Sequence, residues 1–179
     1  MELKIEGKQI TLRKLKKSDA PSIHQNAKDF EIARYTTLPY PYRLKNAEDF
    51  IKTTHQKMRK KKDFELGIEL KETKEIIGMI SLMNIDHDNK NAEIGYWLGK
   101  KYWSRGIMKE AIRLILNFGF KKLKLVRIYA RVMNPNIASA KLLEKSGFKY
   151  EGRMRKAILK RGKWMDYLIY SILSSEFKS

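Results

Sequence analysis

Apolar residues recur along this chain with two different periods, and the points where the period switches predict its elements. Across Gln9–Leu15, Ile10 and Leu12 alternate with Gln9, Thr11 and Arg13, the pattern of a short half-buried strand. Ser18 then stands where a helix N-cap is expected, with Ile23, Ala27 and Phe30 on one face of the helix it would start. Pro39 and Pro41 break the chain. Asn46 is placed to cap a second helix, whose stripe is Phe50, Ile51, Thr54 and Met58 and whose end is the basic run Arg59-Lys60-Lys61-Lys62. Three strand patterns follow. Phe64, Leu66, Ile68 and Leu70 alternate with polar or small neighbours. Ile76–Met83 is almost continuously apolar, as in a strand covered on both faces. A polar turn around Asp86–Asn91 leads to a third run, in which Ala92, Ile94, Tyr96 and Leu98 share one face. Together these predict an antiparallel meander.

In the second half the periods alternate. Lys109–Phe120 carries Ala111, Leu114, Ile115 and Phe118 at helical spacing. Leu125–Met133 puts Val126, Ile128, Ala130 and Val132 on one face of a strand, and Ile137–Lys145 is a short helix stopped by Gly147. Lys156–Lys160 and Trp164–Leu173 form a hairpin turning at Arg161-Gly162. Strand–helix–strand–helix after a meander implies an α+β or mixed-sheet fold with a parallel pair at its centre.

Composition narrows the chemistry. At 179 residues one domain spanning 1–179 is expected, long enough to bury about two thirds of the unfolded surface. Cysteine is absent, which excludes disulfides, a thiol nucleophile and cysteine-ligated metals. The three histidines, His24, His55 and His87, share no motif, so no metal is expected. Lys and Arg number 39 against 20 Asp and Glu, a formal charge of +19. Such a chain attracts anions: nucleotide phosphates, nucleic acid or anionic lipid. The start Met1-Glu2-Leu3-Lys4-Ile5-Glu6 lacks an apolar stretch, and no run approaches the ~18 apolar residues of a membrane span. A cytoplasmic location without membrane contact is the expectation.

Two segments carry candidate chemistry. Tyr102-Trp103-Ser104-Arg105-Gly106-Ile107-Met108 lies between a strand and a helix N-terminus. Unpaired first-turn amides, the helix dipole, Gly106, Arg105 and Lys109 make this either an anion cradle or an ordinary turn with an exposed arginine. In Asn134–Phe148, Asn136 is a helix N-cap, and a cap at the mouth of two splayed strands can also hold an amide-bearing ligand.

Three stretches, in this order and spacing over about 92–153, resemble the GNAT superfamily of acetyl-CoA-dependent N-acetyltransferases: Ala92-Glu93-Ile94-Gly95-Tyr96-Trp97-Leu98; Tyr102-Trp103-Ser104-Arg105-Gly106 with Lys109-Glu110-Ala111; and Asn136-Ile137-Ala138-Ser139 running to Glu144-Lys145-Ser146-Gly147-Phe148. The start Ile10-Thr11-Leu12-Arg13 and the tail Gly162-Lys163-Trp164-Met165-Asp166-Tyr167 are similar to the subgroup that holds the ribosomal-protein N-terminal acetyltransferases. The resemblance implies a mixed, mostly antiparallel sheet whose central parallel pair splays around acetyl-CoA, flanked by helices. It implies that the backbone of Tyr96, Trp97 and Leu98 pairs with the pantetheine arm. Amides across Ser104, Arg105, Gly106, Ile107, Met108 and Lys109 would hold the pyrophosphate, and Asn136 would contact the pantetheine near the sulfur. The chain also departs from the family pattern. Trp103 and the bulky Met108 occupy the first and last places of the phosphate loop, Leu143 stands where many members carry a Tyr acid, and Arg131 where some carry a Glu base.

Without those residues, the expected mechanism is direct attack of a neutral amine on the thioester. An α-amino group near pKa ~8 is about one tenth neutral at pH 7, a lysine near ~10.4 less than about one thousandth. A weak base therefore favours an α-amine. Glu93 is the candidate base, the alternative being a solvent-facing strand residue, and Ser139 the candidate donor to the leaving thiolate, the alternative being a small residue chosen for packing. The Leu98 amide is a candidate to polarise the thioester carbonyl. Trp97, Tyr102, Trp103, Trp164 and Tyr167 are either acceptor-groove or core residues. The expected acceptor is a protein N-terminus, with a small amine (polyamine or antibiotic) as the same-fold alternative. The basic runs Lys14–Lys17, Lys57–Lys62, Lys121–Lys124 and Lys160–Lys163 raise ribosome or RNA contact, and a non-catalytic binding module, as another. Monomer and homodimer both remain open.

Overall fold

The structure is a computed structural model and describes residues 3–60 and 62–178. Met1, Glu2 and the Lys61 of the second basic run lie outside the described residues. The chain order is β1 (Lys4–Glu6), β2 (Ile10–Arg13), α1 (Ala20–Ala27), α2 (Phe30–Arg34), α3 (Leu44–Arg59), β3 (Phe64–Leu70), β4 (Ile76–Asp86), β5 (Asn91–Leu98), α4 (Ile107–Asn117), β6 (Arg127–Met133), α5 (Ile137–Lys145), β7 (Lys149–Lys160) and β8 (Lys163–Leu173). The strands form one sheet in the order β1-β2-β3-β4-β5-β6-β8-β7. Every neighbouring pair is antiparallel except β5 and β6. This is the mixed α+β sheet with a central parallel pair that the sequence predicts.

Two apolar clusters divide the sheet's faces. Ala92, Ile94 and Leu98 of β5, Ile128, Ala130 and Val132 of β6, the buried face of α4 and Leu143 of α5 belong to one. Ile23 and Ala27 of α1, Ile51 of α3 and Ile76 and Met79 of β4 form the other, with Trp97 packed against it. Odd and even positions of β5 therefore face different helical layers, as strand pleating requires. Glu93, Gly95 and Trp97 share the side of α1 and α3; Tyr96 shares the side of α4 and α5.

Several local expectations change. Ser18 caps nothing: Lys17–Asp19 is a 3-10 turn, and Asp19 accepts the Lys16 amide at 2.6 Å. The first helix stops at Ala27, and Phe30 opens the separate α2, capped by Asp29, with its ring exposed. Asn46 sits at the third helical position of α3 and reaches back to accept the Arg43 amide at 2.7 Å. The alternation in β2 is not half solvated. Arg13 is buried because its guanidinium bonds Asp19 at 2.8 Å and Glu69 at 2.5 Å. The long helix begins earlier, at Ile107, and gives way to a π-helical turn over Phe118–Lys122. Val126 precedes β6 and is exposed. The final hairpin turns where expected. Arg161 (φ 49°) and Gly162 (φ 75°) both lie in the left-handed region, the requirement of a two-residue turn whose twist matches its strands.

Candidate functional site

The site begins where the parallel pairing ends. β5 and β6 are in register at Asn91↔Arg127, Ala92↔Ile128 and Glu93↔Tyr129 and no further, although β5 runs on to Leu98 and β6 to Met133. β5 keeps its other neighbour as far as Gly78↔Leu98. Past Glu93, one edge of β5 thus has no strand partner and is a backbone template at the mouth of a wedge, able to pair with an extended amide-bearing chain. Tyr96, Trp97 and Leu98 lie along it.

The segment after β5 turns sharply into α4. Ser104 (φ 61°) and Gly106 (φ 74°) adopt left-handed backbone, and Gly106 is the N-cap of α4 with no side chain capping the helix. A Cβ at Gly106 would meet nothing within 4 Å, so the space in front of the first-turn amides is open. Arg105 and Lys109 are exposed beside it. Ile107 and Met108 are buried, so both can offer only their amides. The bulky Met108 side chain lies in the apolar core and not on the open side of the loop. Trp103, at the departing first place of the loop, donates its indole N–H to the Leu98 carbonyl at 2.7 Å and ties the loop to the end of β5. Open amides, an uncapped helix dipole and the exposed cations Arg105 and Lys109 fit a diphosphate, and the wedge edge fits a pantetheine arm.

On the opposite wall, Asn136 caps α5, its Oδ1 accepting the Ser139 amide at 3.2 Å. The Ser139 hydroxyl in turn lies 2.8 Å from the Tyr96 hydroxyl. Burial pushes the Tyr96 phenol up to about 12, the Ser139 hydrogen bond opposing it. It is a neutral donor at any physiological pH. The sequence reading gave Tyr96 only a backbone role. The available signal was its shared face with Ala92 and Leu98, which points it toward α5. Leu143, at the place of the family's Tyr acid, is wholly buried core.

At the apex stands Glu93, only 6% exposed. The Arg131 guanidinium grips it with two bonds of 2.8 Å, and the Asn84 amide donates at 3.2 Å. The solvent-facing alternative is thus excluded. A carboxylate has about four acceptor sites, so about one remains for an incoming N–H or a water. Donating these two hydrogen bonds to Glu93 raises the Arg131 pKa, and the guanidinium lies 5.3 Å from the Tyr167 ring centroid. Burial, chiefly, also raises the phenols of Tyr129 and Tyr167 on this side. Glu93 and Leu98 are five residues apart on one extended strand, about 17 Å at about 3.3 Å per residue, too far to serve one reacting carbon.

Other candidates fall outside the wedge. Tyr102 is core, Trp97 packs on the α1–α3 cluster, and Trp103 and Trp164 are exposed. His55 bonds the Leu15 carbonyl at 2.7 Å, a structural role. Among the described residues no group of three His, Cys, Asp or Glu could hold a metal. The basic runs are partly spoken for: Lys57 bridges Asp63 and Glu65 at 3.2 Å each, and Lys160 reaches the Thr36 carbonyl. Among the described residues no helix is long and apolar enough to cross a membrane.

The comparisons agree with this geometry. Residues 9–149 match the acetyltransferase (GNAT) domain family. The N-acetyltransferase p20 of Bacillus licheniformis is 33% identical over 94% of each chain. The [ribosomal protein uS5]-alanine N-acetyltransferase of Escherichia coli (strain K12) is 29% identical over 64% of this chain and 59% of its own. Among solved structures, RimL, a ribosomal L7/L12 alpha-N-protein acetyltransferase in complex with coenzyme A, superposes with a TM-score of 0.87 at 22% identity, covering 96% of this chain and 98% of its own, a likeness of fold. Such enzymes use acetyl-CoA, for which the wedge and the uncapped helix of this chain are suited. The chain belongs to the GNAT family and is an N-acetyltransferase.

Proposed function

We propose that this enzyme transfers the acetyl group of acetyl-CoA to the N-terminal α-amine of a protein, a ribosomal protein being the expected class. The observation that carries the reading is the Glu93–Arg131 pair. An α-amine, about one tenth neutral at pH 7, asks less of a base than a lysine side chain does, and the pair offers one carboxylate with about one acceptor site left open. The pair also neutralises the wedge apex, and Asp166, further out, is bound by Arg153 and the Lys156 amide. A polyamine would need uncompensated carboxylates, and these two are compensated.

In the reaction the wedge edge at Tyr96, Trp97 and Leu98 and the amides from Ser104 to Lys109 orient the acetyl-CoA, with Asn136 on the far wall. The thioester supplies the activated acetyl group. The open site on Glu93 holds the amine N–H and receives its proton, directly or through a water, as the C–N bond forms. Ser139 hands a proton to the sulfur as the C–S bond breaks and is resupplied by Tyr96, which regains a proton from solvent as Glu93 gives up to solvent the one it took from the amine. Backbone amides between Ile94 and Tyr96, nearer the apex than Leu98, are the better placed donors to the carbonyl oxygen.

The test is a peptide panel against spermidine with saturating acetyl-CoA, the products located by mass fragmentation. We expect α-N-acetyl peptides. Gly106→Asp, which puts bulk and a repelling charge at the phosphate cradle, should abolish calorimetric acetyl-CoA binding. Acetylation of spermidine in preference to every peptide would overturn the reading.

A further inference from the structure

On the α1–α3 side, just past the end of β5, a cavity of about 600 Å³ opens between α1, α2, the Tyr40–Tyr42 segment and the turn carrying Lys100 and Lys101. Its walls bring together cations from two distant parts of the chain. Lys28 follows α1, Lys100 and Lys101 follow β5, and His24 adds a fourth basic side chain. Among the described residues, Lys28 and Lys100 have no carboxylate partner, and the Lys101 ammonium rests only on the Tyr102 ring, 4.9 Å from its centroid. The one carboxylate in the wall, Asp29, is engaged in capping α2 through the Glu31 amide at 2.9 Å. Three lysines against one carboxylate leave the cavity cationic.

The cavity lies on the acceptor side of the sheet, since Tyr42 in its wall and Trp97 of β5 belong to the same apolar layer. Glu93 and Trp97 face the same helical layer, and the β7–β8 tip reaches across to the cavity rim. There the Arg161 guanidinium sits 4.5 Å from the Phe30 centroid and 5.3 Å from that of Tyr40. These two rings meet edge-on, 5.2 Å apart at 75°, with the guanidinium over them. No parallel aromatic platform is left for a nucleobase, so carboxylates suit the cavity better than a nucleotide.

We propose that this cavity receives an acidic stretch of the acceptor polypeptide, Asp or Glu about five to seven residues beyond the acetylated amine. The spacing follows from β5. Glu93 to Lys100 is seven residues, about 20 Å along the strand and turn, which an extended peptide covers in about six. The inference rests on the α-amine reading above and adds the class of sequence selected.

The experiment uses two peptides with the same first four residues and either Asp-Glu-Asp or Ser-Gln-Ser at positions five to seven. They are assayed with the wild type, with Lys28→Glu/Lys100→Glu, and with the milder Lys28→Gln/Lys100→Gln. We expect the wild type to prefer the acidic peptide about tenfold or more in kcat/KM, mainly through KM. The preference should shrink in the Gln variant, vanish in the Glu variant and fade with added salt, while acetyl-CoA affinity by calorimetry stays the same. Equal use of both peptides by the wild type overturns this inference and leaves the proposed function standing. Acetylation of neither peptide overturns both. Loss of acetyl-CoA binding in the Gln and Glu variants would assign the lysines to the cosubstrate. Saturable binding of a nucleoside monophosphate that the variants lose would assign the cavity to a nucleotide. Either result overturns the proposal.

Discussion

Arg131 holds Glu93 through two 2.8 Å hydrogen bonds across the apex of the wedge, one residue on each strand of the parallel pair. The acidic partner has an 8% exposed side chain and the basic one 41%. Sequence position alone makes Arg131 look like a lost base. In the fold it is what orients the carboxylate on the adjacent strand.

Breaking this pair from either side should therefore give different results. Arg131→Ala strands a buried carboxylate and should cost about 1–3 kcal/mol in urea unfolding, less than the roughly 3–5 kcal/mol of a fully buried pair because the guanidinium is partly solvated. Glu93→Gln keeps the shape and should leave acetyl-CoA affinity unchanged while kcat falls about 10²-fold or more. An unchanged kcat in Glu93→Gln would remove Glu93 from the reaction.

The Tyr96–Ser139 hydroxyl pair makes a separate prediction. Tyr96→Phe and Ser139→Ala should each lower kcat about tenfold to a hundredfold, and the double variant should be scarcely slower than the worse single one, because the two act as one relay. With the Tyr96 phenol held up near 12, the pH–rate profile should rise as the α-amine loses its proton near pH ~8 and show no descending limb from Tyr96 below pH 10. Additive losses in the double variant would rule out the relay.

Acid stability should depend on Glu151. The Arg127 guanidinium first, and then the Ser171 hydroxyl, hold this carboxyl down at about 2, against an ordinary value of 4.5. Because the folded value is depressed, the contribution to stability is present above pH 4.5 and is lost as pH falls toward 2. Between pH 5 and pH 2.5 the urea midpoint of the wild type should fall further than that of Glu151→Gln. Equal pH dependence in the two would show that the β6–β7–β8 ion pair contributes nothing.

Local signals made most of the framework legible from sequence. Period-two runs marked β3 and β5, a continuous apolar run marked β4, the helical spacing of Ala111, Leu114 and Ile115 marked α4, and Arg161-Gly162 marked the last turn. Each rests on neighbours within a few residues. The same locality explains the errors at the start of the chain. The burial of Arg13 depends on Glu69, 56 residues away, and the separation of Phe30 from α1 depends on the Asp29 cap prevailing over an apolar spacing that otherwise reads as continuous.

The turn proposed as the phosphate cradle was legible for the same reason, since Gly106 and the following helix are contiguous. The wall proposed as catalytic was only half legible. Glu93 and Ser139 were named, but not the groups that define what they can do. Arg131 comes to Glu93 from 38 residues away and Tyr96 to Ser139 from 43, across strands whose pairing stops after Glu93↔Tyr129. Periodicity determines which face a side chain takes. Only the packed sheet decides which residue it meets, because that depends on strand order, register and the point where the register ends.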